Sequence, residues 1–303
     1  LPLVMSIIVA CIVGFICGHS FQEMLAGMVE RLAASMEAVL ILATVGFLVT
    51  SFMLSGAIPT MIVYGLDLLT PQLFLPVGCI LCAIVGMACG SSWTTTATIG
   101  LAFLGIGAGL GIPAPITAGM IISGAYVGDK FSPLSDTTNL AAAVAETGLF
   151  DHVTAMVSTT GPTLLLSLIL YTILGLNVDT SAYDATVAEG IQEAFRGAFT
   201  ISPILLLPII VVIVMCILRV PGLVGIAVSV ATAVVFMLIF QSTDIYYSRS
   251  LGDIFDVLHY GNAVETGNAV ADSILGKAKG MDGMMWTINL ILVALAYGGA
   301  LER

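Results

Sequence analysis

Between Asp129 and Asn139 the chain carries two carboxylates, one ammonium, four hydroxyls and a carboxamide within eleven residues, with apolar sequence on either side. Hard cations take oxygen ligands, and this set is rich in them. Asp136 is the first choice for a carboxylate that binds a cation and a proton in turn. Desolvation favours its protonated form and a neighbouring cation favours its ionised form, so one group answers oppositely to two ions. Ser132, Ser135, Thr137, Thr138 and Asn139 can add ligands, with Asp136 and Asn139 as the candidate metal-ion ligands. Asp129 is a second acid able to bind or relay the proton. Lys130 admits two readings: an ammonium released from and returned to a carboxylate during a cycle, or a helix C-terminal charge that Asp129 satisfies.

The elements that must position these groups can be read on both sides. Residues 116–127 are apolar or small and suit a helix, and Gly128 reads as the glycine that ends it in a left-handed turn. Residues 140–146 form a second helical run, with Ser135, Asp136 or Thr137 as its N-cap. Together 116–146 reads as one broken helix. At membrane depth, polar irregular backbone persists only where protein buries it or it lines a cavity. Two half-helices meeting there aim dipole ends of opposite sign at one small volume, as broken transporter helices do. The competing reading is a loop outside the membrane.

A second hydroxyl group lies upstream. Residues 73–89 and 94–110 are apolar and separated only by Gly90, Ser91, Ser92 and Trp93. They are antiparallel neighbours, as two full spans or as a re-entrant hairpin over 73–110. Ser91, Ser92 and Thr94 either supply oxygens from its tip or cap helices. The pairs Gly124/Gly128 and Gly105/Gly109 are spaced for close helix packing.

Composition sets the environment. Of 303 residues, 59% are hydrophobic and 9% charged, and the mean hydropathy is +1.12; a soluble domain carries about 25% charged residues. The expectation is an all-α, polytopic integral membrane protein. The net charge of −11 leaves no basic patch for nucleic acid. All six cysteines sit in apolar runs as small hydrophobes, including the Cys79–Cys82 pair. His19, His152 and His259 lie in polar flanks with no metal set around them. No serine–histidine–acid arrangement and no nucleotide loop is present, so a carrier is expected rather than an enzyme, without a cofactor. The chain opens without a methionine or a charged leader and stops after an apolar run, which reads as a piece of a longer protein.

Further spans are expected at 1–18, 37–55, 162–176, 201–218 (kinked at Pro203 and Pro208), 223–240 and 284–299. Glu37, at the membrane edge, admits two readings, a relay carboxylate or, the preferred one, a residue facing water. Residues 150–160 read as interfacial and 177–196 as an acidic loop. Phe21, Met24, Leu25 and Met28 mark an amphipathic interfacial helix, and Leu251, Ile254, Phe255 and Leu258 repeat its offsets. The order span, amphipathic helix, span thus occurs twice. With an odd number of crossings between the copies the second is inverted. This divides the chain into a first repeat with linking spans, 1–218, and the start of a truncated second, 219–303, whose own hairpin and broken helix would lie beyond it.

The wording of these segments is also familiar. GAYVGDKFSPLSDTTNLA (124–141), GSSWTTTATIG (90–100), GIPAPITAG (111–119) and MMWTINLILVALAYGGALE (284–302) resemble the NhaC-type sodium/proton antiporters, within the wider ion-transporter superfamily. The resemblance covers most of the chain. It implies Na+ and H+ as the transported ions, a hairpin that forms half of the ion site, and residence in a prokaryotic cytoplasmic membrane. Exchange of a small organic acid or amino acid coupled to the same ions is the alternative it carries. Expected partners are the bilayer, a monovalent cation and, in that alternative, a small carboxylate; a homodimer is one assembly compatible with this plan.

Overall fold

Long apolar runs in lipid can satisfy their backbone only within helices, and the computed structural model is predominantly helical, with no strand among its described residues. These are 2–89, 92–132, 135, 137–138, 141–142, 145, 147–177, 185–218, 220–241, 251–261, 264–276 and 278–302. The chain opens with α1 (Pro2–Ile16), α2 (Phe21–Ala34) and α3 (Met36–Leu54). A capping box starts α2: Glu23 N–H donates to the Ser20 hydroxyl, and Ser20 N–H to the Glu23 carboxylate. Gly56, at φ +82°, turns the chain from α3 into α4 (Ala57–Leu68), whose residues Ala57 to Thr60, Ile62, Val63 and Leu66 are buried. The Gln241 amide fills the space a side chain at Gly56 would need, donating to Ser55 O and accepting from Thr200 N–H.

The site-bearing part follows as α5 (Pro71–Cys89), α6 (Ser92–Thr95), a π-helical turn (Thr96–Gly100), α7 (Leu101–Gly109) and α8 (Ala114–Phe131). The rest comprises α9 (Leu149–Leu176), α10 (Ala185–Ala198), a 3-10 turn (Pro203–Leu206), α11 (Leu207–Ile217), α12 (Gly222–Phe240), α13 (Leu251–Tyr260), α14 (Ala269–Leu275) and α15 (Asp282–Leu301). Leu149–Leu176, Leu223–Phe240 and Asp282–Leu301 are each long and apolar enough to cross a bilayer. Two bent pairs, Phe21–Ala34 with Val39–Leu54 and Ala188–Ala198 with Pro203–Met215, add two crossings if each pair is one span. The fold is all-α and polytopic.

Several boundaries differ from expectation. Helix α9 is continuous through Pro162, so the separate interfacial piece at 150–160 is its first half. The acidic segment 177–196 overlaps α10, which buries Ala188, Ile191 and Phe195 and meets the following helix at 90°. Pro203 opens a 3-10 turn instead of kinking a span. Helix α2 does not lie apart from the bundle: it meets α3 at 41°, packs along α15, and its Arg31 pairs with Glu302.

The helices before α4 and after α11 contact one another reciprocally. Helices α1 and α2 pack on α15, α12 and α13 pack on α3, and α3 packs on α15. Met24 and Met28 of α2 are buried, as are Ile254 and Leu258 of α13, while Leu25 and Phe255 both face outward. One feature has no match in the first set. Between α13 and α15 the chain inserts α14 and then returns against α3 at residues 278–281, where Gly280 N–H donates to the buried Thr50 hydroxyl at 2.9 Å. Gly261 and Gly280 there have φ of +83° and +63°.

A candidate ion site at the end of a broken helix

Helix α8 is seated by glycine. A Cβ on Gly124 would strike Cys79 O, one on Gly128 would strike Ala83 O, and one on Gly86 would meet Ala125 O at 2.8 Å. The backbones of α5 and α8 therefore touch along a seam, with dispersion over a long contact replacing side-chain interdigitation. The same helix lies against the second arm, Thr117 on Gly107 and Ile121 on Gly100, so α8 fills the fork of the hairpin. Phe74 and Phe103 close the fork with ring centroids 5.9 Å apart.

Gly128 is consequently helical, and the left-handed ending expected there does not occur. Helix α8 continues through Asp129 and Lys130 to Phe131 and stops at Ser132, φ −83° and ψ 125°. That extended conformation is the one imposed on a residue preceding proline, here Pro133. The break thus lies about a turn later than the glycine suggested.

Residues drawn from three segments meet at this end. Asp129 is 5% exposed, and Ser92 from the hairpin tip donates to its Oδ2 at 3.3 Å. The Thr138 hydroxyl donates to the carbonyls of Asp129 (3.2 Å) and Lys130 (3.4 Å), capping the end of α8 from the far side of the break. Ser135 Oγ accepts from Thr138 N–H at 3.4 Å, which makes Ser135 the N-cap of the returning helical residues. Thr137 Oγ1 lies 3.0 Å from Ser135 Oγ and accepts from Lys130 Nζ, also at 3.0 Å. The Lys130 ammonium stands 5.3 Å above the Tyr126 ring. Ser132 and Ser135 are fully buried, and Thr94 is buried beside Thr98, whose hydroxyl donates to Thr94 O at 2.7 Å. Ser91, Asp136 and Asn139 lie outside the described residues.

Asp129 and Lys130 point to different partners, the acid to the hairpin tip and the ammonium to Tyr126 and Thr137. Tyr126, one turn before Lys130 on the same helix face, was not singled out from the sequence. Its signal was the i, i+4 spacing, which has meaning only if the helix runs through Gly128. The π-helical turn was likewise unforeseen; such turns occur often at functional sites and release backbone groups from the regular ladder. Tyr171 of α9 was also missed. Ser123 donates to Gly119 O, so the 2.9 Å contact between Ser123 and Tyr171 has the tyrosine as donor, tying α9 to α8.

Helices long and apolar enough to cross a bilayer, and a helix that ends beside a hairpin tip with a buried acid at its end, define the class: a polytopic helical membrane protein. Comparison with known proteins makes it specific. Residues 124–303 match the Na+/H+ antiporter family, and the chain belongs to that family. It is 34% identical over its whole length to the Na(+)/H(+) antiporter NhaC of Alkalihalophilus pseudofirmus, covering 64% of that protein. It is 36% identical over 94% of its length to the arginine/ornithine antiporter ArcD of Halobacterium salinarum, covering 58% of it. With the malate-2H(+)/Na(+)-lactate antiporter of Bacillus subtilis the identity is 33% over the whole chain and 63% of the relative. The chain therefore spans less than two thirds of the length of these relatives. No solved structure matches it. It is an integral membrane protein of the prokaryotic cytoplasmic membrane.

Proposed function

We propose that the full-length protein exchanges Na+ for H+ across the membrane, with the cation held where the hairpin tip, the end of α8 and the returning residues meet. The observation that carries this reading is the burial of Asp129 at a helix end, its carboxylate bonded to Ser92 and its main-chain carbonyl to the Thr138 hydroxyl, with Ser132 and Ser135 buried in the residues that follow. A buried carboxylate is costly to ionise without a compensating positive charge, so it takes a proton or a cation. Asp136 and Asn139 complete the proposed ligand set, with Ser91, Thr94 and Thr137 contributing oxygens from either side. The reciprocal packing of α1–α3 with α12, α13 and α15 supports residues 1–218 and 219–303 as the first repeat and the start of an inverted second.

A second reading, exchange of a small organic acid or amino acid coupled to the same ions, is favoured by one observation: the Lys130 ammonium stands beside the Ser135 and Thr137 hydroxyls, a set that suits a carboxylate. Two of the relatives are named for organic substrates. Full-length protein in liposomes with a trapped pH-sensitive dye separates the two. A Na+ pulse that moves protons without organic solute supports the first reading; movement only after malate, lactate or an amino acid is added supports the second.

A further inference from the structure

We propose that Lys130 is a tethered competitor for the transported cation, and that the Tyr126 ring is the seat to which its ammonium withdraws when an ion arrives. This rests on the cation-site reading above. Nζ donates to Thr137 Oγ1, and that same oxygen is 3.0 Å from Ser135 Oγ. A metal cation drawing on the Thr137 oxygen would share it with a full positive charge, and two like charges so close repel strongly at a half-buried position. The ammonium must leave for the ion to enter.

Where it goes is marked on the helix. Tyr126 is one turn earlier on the same face of α8, and its ring is already 5.3 Å from Nζ, within cation–π range. An ammonium that gives up Thr137 stays over this ring without crossing apolar surface, because the lysine stem only swings about its own Cα. Lys130 thus adds a fixed cost to ion entry, and Tyr126 lowers that cost. The two side chains act on ion affinity with opposite signs. An ordinary lysine in the last turn of a helix, placed only against the dipole, would support stability and leave ion affinity alone.

The test uses the full-length protein and Na+ alone, titrated by thermal stabilisation, with proton movement measured separately in liposomes. Removing the charge in Lys130→Gln lowers the half-saturating Na+ concentration roughly fivefold or more, the scale of a typical coupling between two sites. Tyr126→Leu raises it about two- to fivefold, the loss of one exposed cation–π contact. Tyr126→Phe keeps the ring and the wild-type value, and the double variant Lys130→Gln/Tyr126→Leu follows Lys130→Gln. An unchanged or higher Na+ requirement in Lys130→Gln overturns the proposal. So does a Tyr126→Leu variant indistinguishable from Tyr126→Phe, a comparison that stands even if Lys130→Gln does not fold. Wild-type protein that binds Na+ but moves no protons removes the exchange reading while the competition is still judged by binding. Wild-type protein that binds no Na+ removes both.

Discussion

Two places in this molecule press non-helical backbone against long apolar helices, and they are built differently. At the end of α8 the irregular residues bring hydroxyls and a buried acid: Ser132, Ser135 and Thr138 beside Asp129, with Ser92 reaching in from the hairpin. At 278–281 the backbone is closed by glycine. Gly46 of α3 meets Gly280 O, Gly261 meets Ala278 O, Gly280 meets His259 O, and one bond from Gly280 N–H to Thr50 settles the amide. Both satisfy the demand that polar backbone near lipid be buried in protein. Only the first adds a carboxylate and more oxygens than its own backbone needs. An interrupted helix is therefore not in itself an ion site; the surplus of ligands is what makes the end of α8 the candidate.

The sharpest way to break this comparison is to add one methyl group on each side. Gly280→Ala meets both a positive φ and the His259 carbonyl, and should cost more than about 2 kcal/mol. Gly128→Ala drives a Cβ into the α5 backbone and should cost about 1–3 kcal/mol. Gly197→Ala, where nothing lies within 4 Å, should be neutral or stabilising. Melting in detergent ranks the three; equal behaviour of Gly128→Ala and Gly197→Ala would remove the tight seam from the account.

Two hydroxyl deletions of similar size sharpen it next. Thr50→Val leaves the Gly280 amide buried without its acceptor, at about 1–3 kcal/mol. Thr138→Val exposes the two carbonyls ending α8 and should cost a comparable amount. Stability does not distinguish them, but the Na+-dependent shift in melting should change in Thr138→Val and stay intact in Thr50→Val. A changed Na+ response in Thr50→Val would mean that the glycine-lined return belongs to the ion site after all.

The smallest effect concerns the base of that return. Thr266 donates both its N–H and its hydroxyl to Asp272 Oδ1, each at 2.7 Å, and these bonds hold the carboxyl below its ordinary value. A lowered folded-state value stabilises the charged form, so the contribution is present above the usual carboxylate value of 3.8 and fades as pH falls through the folded value. Asp272→Asn should modestly weaken protection of the Thr266 amide from hydrogen exchange at neutral pH and remove its acid-range dependence, so that variant and wild type converge at low pH.

The polar run 129–139 stood out in the sequence because such density is improbable within apolar flanks, and the cluster it forms was legible for that reason. Its geometry was not, because Gly128 has two physical uses. Glycine ends helices and also lets helices touch; composition offers both, and only the α5 backbone lying against it decides. Helix α4 escaped notice because it follows α3 directly after Gly56, and its twelve residues, with Pro59, Gly65 and Asp67 among them, are too few to read as a span. Helix α10 was hidden by its acids, although Ala188, Ile191 and Phe195 already carried the i, i+3, i+7 spacing of an apolar face. The order span, amphipathic helix, span pointed to a repeat, whereas α14, placed between α13 and α15, had no counterpart in that order against which to be recognised.

The central claim is that a buried acid at the end of α8 carries cation and proton in turn. Full-length protein and its folded Asp129→Asn variant, reconstituted in liposomes and given a Na+ pulse without organic solute, test it most directly. The account predicts proton movement by the wild type and none by the variant, with Asp136→Asn behaving alike. A folded Asp129→Asn protein that still moves protons at the wild-type rate would contradict it.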